Sequence, residues 1–128
     1  MGDLHASADE PVTILVAHGS RLASANEAHV DLCRELSERT SRSVRPAFLE
    51  LAEPSIGAAI DDAAGVGAPI VVLPFFLLPG NHTGRDIPDI VTAARARHPA
   101  LDLSLARYLG AETALVDVVA DVITRGIT

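Results

Sequence analysis

Three residues of this chain carry side chains that could do chemistry together, His18, Glu50 and His82. Two imidazoles and one carboxylate make a donor set for a first-row divalent ion such as cobalt, nickel or iron, with coordination positions left open for exchange. No thiolate accompanies them. A structural zinc site would close its fourth position and favour closely paired cysteines, neither of which occurs here. The set therefore suits holding a metal and releasing it. Taken singly, each is an ordinary loop or strand-end residue, so the inference rests on their convergence.

Convergence follows from the elements that carry them. Residues 70 to 88 open with the apolar run Ile-Val-Val-Leu-Pro-Phe-Phe-Leu-Leu and continue into a polar loop holding His82. An apolar run without alternation is the pattern of a strand buried on both faces at the centre of a mainly parallel sheet. Val12–Ala17 reads as a second such strand, closed by His18-Gly19-Ser20-Arg21, and residues 44 to 51 as a third, with Pro46 marking a sheet edge and Glu50 at its carboxyl end. A fourth strand is predicted over residues 101 to 105.

Helices separate the strands. The first is predicted to start at Ser24 and Glu27 in capping-box spacing, to bury Ala25, Ala28, Leu32 and Leu36, and to end near Ser41. His29 falls on its surface. A second follows Pro54, with Ile56, Ala59, Ile60, Ala63 and Ala64 inward, and stops at Gly65 and Gly67. A third covers about 86 to 98 with Pro88 in its first turn, and His98 at its end is a favourable charge when protonated. The last covers 112 to 125, where Leu115, Val118, Val119, Val122 and Ile123 make a stripe wide for so short a helix.

Alternation of strand and helix with right-handed crossovers predicts an α/β fold, a flavodoxin-like three-layer α/β/α domain. Its four-stranded parallel sheet has the first strand between the second and third. Ligands bind such sheets at the carboxyl edge, where the strand order reverses. His18, Glu50 and His82 all fall on that edge.

With 128 residues the chain suits one core, read as a domain over residues 11–128 behind a flexible tail, residues 1–10. A net charge of -7 argues against nucleic acid, which needs a basic face. No apolar stretch approaches the roughly 20 residues that span a bilayer, and the acidic start lacks a signal-peptide pattern. A cytoplasmic protein is expected. Cys33, the single cysteine, reads as a small buried thiol in a helix.

The motifs together resemble the small, single-domain form of the class II chelatases, the sirohydrochlorin cobaltochelatase and ferrochelatase (CbiX/SirB-like) family, across residues 12 to 125. Carrying the resemblance are His18-Gly19-Ser20-Arg21, Phe48-Leu49-Glu50-Leu51 with Glu53-Pro54-Ser55-Ile56, and His82 followed by Asp86-Ile87-Pro88. The resemblance implies a chelatase half-domain that inserts a divalent metal (Co2+, Fe2+ or Ni2+) into sirohydrochlorin or a related tetrapyrrole, in cobalamin, sirohaem or nickel-tetrapyrrole biosynthesis. Two pyrrole protons leave in that reaction. The metal is a substrate, and no organic cofactor is expected. His18 and His82 match the family's metal-binding histidines, and Glu50 matches the acidic residue that joins them in metal binding and is a candidate proton acceptor; the motif does not decide which residue takes each proton.

Substrate carboxylates require local donors on an acidic protein. Gly19, Ser20 and Arg21 lead into the first helix, whose N-terminal N–H groups favour anions, and Arg85 is a further candidate. Pro79-Gly80-Asn81 departs from the small, less polar residues that relatives carry before the histidine, so Asn81 adds an amide contact. Asp86 is a plausible hydrogen-bond partner for His82. The resemblance also implies a homodimer with its cleft near the two-fold axis, which the wide stripe of the last helix would serve. The alternative is a non-catalytic tetrapyrrole or metal carrier on the same fold, distinguished by turnover. A hydrolase fits less well, because Ser20 lacks the Gly-x-Ser-x-Gly elbow. Flavin binding rests on fold analogy alone.

Overall fold

The computed structural model describes residues 10–80 and 85–126. Asn81 and His82, both named above, lie outside the described residues, as do residues 1–9 of the expected tail. Glu10, its last residue, is ordered against Arg42 at 3.7 Å.

Among the described residues four strands and four helices alternate: β1 (Val12–Ala17), α1 (Ala23–Thr40), β2 (Val44–Phe48), α2 (Ile56–Ala64), β3 (Ile70–Pro74), α3 (Ile87–Arg97), β4 (Leu103–Leu105) and α4 (Thr113–Arg125). A 3-10 turn, Leu109–Ala111, precedes α4. The sheet is all parallel with order β2-β1-β3-β4, as the crossover argument requires. Pro46 sits on the edge strand β2, where a missing N–H costs no ladder bond on the open side.

One face of the sheet packs on α2 and α3. Ile14, Val16, Ile70 and Val72 alternate inward along their strands and meet Ile56, Ile60, Ile87 and Val91 in one fully buried cluster. Burying each such side chain contributes about 1.5–3 kcal/mol, so this layer anchors the sheet. Ser55 caps α2 by accepting from Ala58 N at 3.2 Å. Arg95 of α3 donates through Nε and Nη2 to Leu103 O at 3.1 and 3.0 Å, tying the helix to β4.

On the opposite face α1 covers the β1 and β2 side, and three sequence expectations change there. The buried residues of α1 are His29 and Cys33, while Ala25 and Ala28 are exposed. In so polar a helix the apolar stripe is too weak to set the rotation. The helix also begins at Ala23, so Ser24 lies inside its first turn and the capping box does not form. Asn26 clasps the entering chain instead, accepting from Ser20 N at 3.0 Å and donating to Ser20 O at 2.8 Å. Burial pushes the Cys33 thiol up to about 11.

The central strand is shorter than its apolar run. β3 ends at Pro74, and Phe75, Leu77 and Leu78 are exposed beyond it. The neighbouring strands have run out by then, since β4 pairs only with residues 70 to 72 and β1 stops at Ala17. Val71 and Leu73, on the second face, are only partly covered, so β3 is not buried on both sides. Likewise β2 ends at Phe48 and leaves Glu50 in the following turn, and β4 begins at Leu103, two residues later than expected. α4 buries none of its residues.

Candidate functional site

Backbone bonds first join the exits of β1 and β2. Leu49 N donates to Ala17 O at 2.9 Å and Glu50 N to His18 O at 3.1 Å, extending the strand pairing two residues past the sheet. Gly19 makes this possible. Its φ is +99°, and a β-carbon there would stand 1.7 Å from the Glu50 carbonyl oxygen. Only glycine allows both the left-handed backbone and the close approach. Gly19, predicted to contact substrate, is thus first a packing residue for the Glu50 turn. Leu51, the next residue, has φ 67°, an uncommon conformation for a branched side chain that clusters at functional sites.

The side chains then meet. His18 Nε2 lies 2.9 Å from Glu50 Oε2, with the two side chains 46% and 52% exposed. The pair is open to an incoming ion yet held in hydrogen-bond contact. Phe76 closes one flank, its ring meeting that of His18 edge-on with centroids 6.4 Å apart. Two of the three predicted ligands are therefore brought together, and the third, His82, lies outside the described residues.

The loop behind Phe76 is itself held by close packing. Gly110 N donates to Phe76 O at 2.9 Å, and a β-carbon on Gly110 would fall 1.6 Å from Leu77 O. Around the sheet edge, Leu22, Leu51, Phe75, Leu77 and Leu78 all expose apolar surface, Leu78 to 78%. A row of exposed large apolar residues beside an imidazole-carboxylate pair suits a flat hydrophobic ring better than a small polar molecule.

Donors for anionic groups are more limited than the helix-terminus argument suggests. Ser20 N–H is used by Asn26, and Leu22 N–H donates to Ser20 Oγ at 3.0 Å. Two amides of the turn are thus engaged within it, and the Ser20 hydroxyl proton and the exposed Arg21 guanidinium are donors it offers outward. Arg85 is exposed just ahead of α3.

Sequence reasoning passed over three residues that shape this edge. Asn26 and Gly110 act through backbone contacts that no spacing rule reveals. His29 was set on the helix surface, whereas it is 7% exposed. His98, expected as a helix-end charge, pairs with Asp61 of α2 at 2.7 Å, far from this edge.

Comparison with known proteins adds an independent line. The CbiX family model matches residues 12–125. The chain is 38% identical over 110 residues to the chloroplastic sirohydrochlorin ferrochelatase of Arabidopsis thaliana, covering 84% of this chain and 49% of that protein. It is 38% identical over 80 residues to a sirohydrochlorin cobaltochelatase of Methanococcus maripaludis, covering 61% of this chain and 56% of that one. The chain thus spans about half the length of these relatives. A crystal structure of a CbiX protein from Marinobacter aquaeolei VT8 superposes with a TM-score of 0.75 at 32% identity, covering 88% of this chain and 93% of that one.

Proposed function

Because the chain belongs to the CbiX family, we propose that it inserts a divalent metal, cobalt or ferrous iron with nickel also suited to its donors, into sirohydrochlorin or a related tetrapyrrole. The observation that carries this reading is the 2.9 Å contact of His18 with Glu50 on an apolar sheet edge. Names of relatives as ferrochelatase and cobaltochelatase support both iron and cobalt.

His18 Nε2, the Glu50 carboxylate and His82 hold the metal from one face of the ring. Leu51, Phe75, Leu77 and Leu78 provide an apolar wall for the macrocycle, excluding water where the metal changes ligands. The four ring nitrogens bind the metal, and at the two that carry hydrogen the N–H bond breaks and leaves its electron pair on nitrogen. Both protons pass to bases at the site. Glu50 is the first acceptor, since a carboxylate beside the ring serves as ligand and base in turn. Ser20, Arg21, Asn81 and Arg85 meet peripheral carboxylates, with the arginine forks offering bidentate bonds. This local positive charge offsets the chain's net -7.

A homodimer completes the cleft in this reading. One lobe supplies one wall, and the exposed Val116, Val118, Val119 and Ile123 of α4 offer an apolar face for symmetric pairing. The location proposed with it is the cytoplasm, where the Cys33 thiol stays reduced.

Anaerobic absorbance of sirohydrochlorin with Co2+, Fe2+ or Ni2+ tests the proposal, using protein well below the ring concentration. The expected result is many metallations per protein, with His18→Ala or His82→Ala returning the rate to the spontaneous one. Stoichiometric binding without acceleration would instead identify a carrier.

A further inference from the structure

Among the described residues, His29 is the buried polar residue that the proposed reaction leaves unused. We propose that His29 is a positioning residue, a single ring on α1 that fixes the exits of the three strands bearing the metal-handling side chains. Its Nε2 lies 2.9 Å from Leu15 O, three residues before His18. A carbonyl only accepts, so Nε2 carries the proton and donates. Its ring meets Phe48 edge-on at 5.3 Å, two residues before Glu50. It also meets Phe75 at 6.0 Å and a 38° tilt, one residue before the Phe76 that flanks His18.

One side chain thus touches β1, the last residue of β2, and the first residue after β3. Beyond these points two backbone bonds join the β1 and β2 exits, Leu49 N to Ala17 O and Glu50 N to His18 O, and packing beneath the exits supports what those bonds leave free. Close-packed interiors transmit such displacements rather than absorb them. Moving Phe48 or Phe75 moves Glu50 or Phe76 within two residues, and a misplacement of about 1 Å at a reacting group costs about 100-fold in rate. A histidine that merely fills the core would affect stability alone.

The catalytic consequence rests on the chelatase reading, whereas the geometric claim does not, and two readouts separate them. His29→Phe keeps a ring and loses the donor; His29→Gln keeps a donor and loses the ring. The first readout, in metal-free protein, is the ring-current shift that Phe76 imposes on the carbon-bound protons of His18, measured by NMR. The second is titration with Co2+ alone.

In folded His29→Phe the His18 shift is expected to change and Co2+ affinity to fall by about tenfold or more. His29→Gln should recover part of the Co2+ affinity. Wild-type His18 shifts and wild-type Co2+ affinity in folded His29→Phe would overturn the proposal, however low its melting temperature. If His29→Phe does not fold, the same two readouts on His29→Gln decide, with wild-type values again overturning it. If the wild-type protein binds Co2+ no better than His18→Ala, the chelatase reading fails, and the NMR readout alone still decides the role of His29.

Discussion

Gly19 shows how a residue's role follows from the space around it. The Glu50 carbonyl occupies the position where a β-carbon would project, and the backbone is left-handed at φ +99°. Gly19→Ala must therefore either adopt a strained backbone or push the Glu50 turn away. The expected outcome is a loss of at least about 2 kcal/mol in urea unfolding, together with loss of Co2+ binding, because the displaced turn carries Glu50. His18 and Glu50 were legible from sequence since each follows a recognisable strand. His29 was not, because the weak apolar stripe of α1 does not reveal which side faces the sheet.

Among the elements, α2 and α3 are joined on their outer side by Asp61, which accepts from Arg97 Nη2 at 3.0 Å and contacts His98 at 2.7 Å. The hydrogen bond to His98, and then that to Arg97, lower the Asp61 carboxyl below its ordinary 3.8. The carboxylate is favoured in the folded state, so its contribution is present above pH 3.8 and is lost as pH falls through the lowered value. Asp61→Asn should therefore unfold at a lower urea concentration at neutral pH, by no more than about 1 kcal/mol for so exposed a clasp. The difference should close below pH 3.8 in parallel urea titrations. Strand and helix order was readable from the alternation of apolar runs. Element ends were not, since β2 and β3 stop where their neighbours run out rather than where their own apolar residues do.

The whole molecule presents a half-covered sheet and an amphipathic α4 with no buried residue. The turn leading into α4 packs through Gly110 against the Phe76–Leu77 backbone, the loop that flanks His18. Under the proposed homodimer, Val119→Glu with Ile123→Glu is expected to leave the far-ultraviolet circular dichroism unchanged and to give a monomeric mass by light scattering where the unsubstituted chain gives a dimeric one. Charges on an exposed face cost little in an isolated copy but much in an apolar interface. By itself the sequence determined the strand order and the sheet edge on which His18 and Glu50 meet. Apolar runs, breakers and the right-handed crossover are local or general constraints that a linear reading captures. Only the tertiary structure decided that Gly19 yields its side-chain space to Glu50, that His29 lies under three strand exits, and that α4 stays uncovered. Those depend on which surfaces meet, and contacts between residues distant in the chain leave no periodic trace in it.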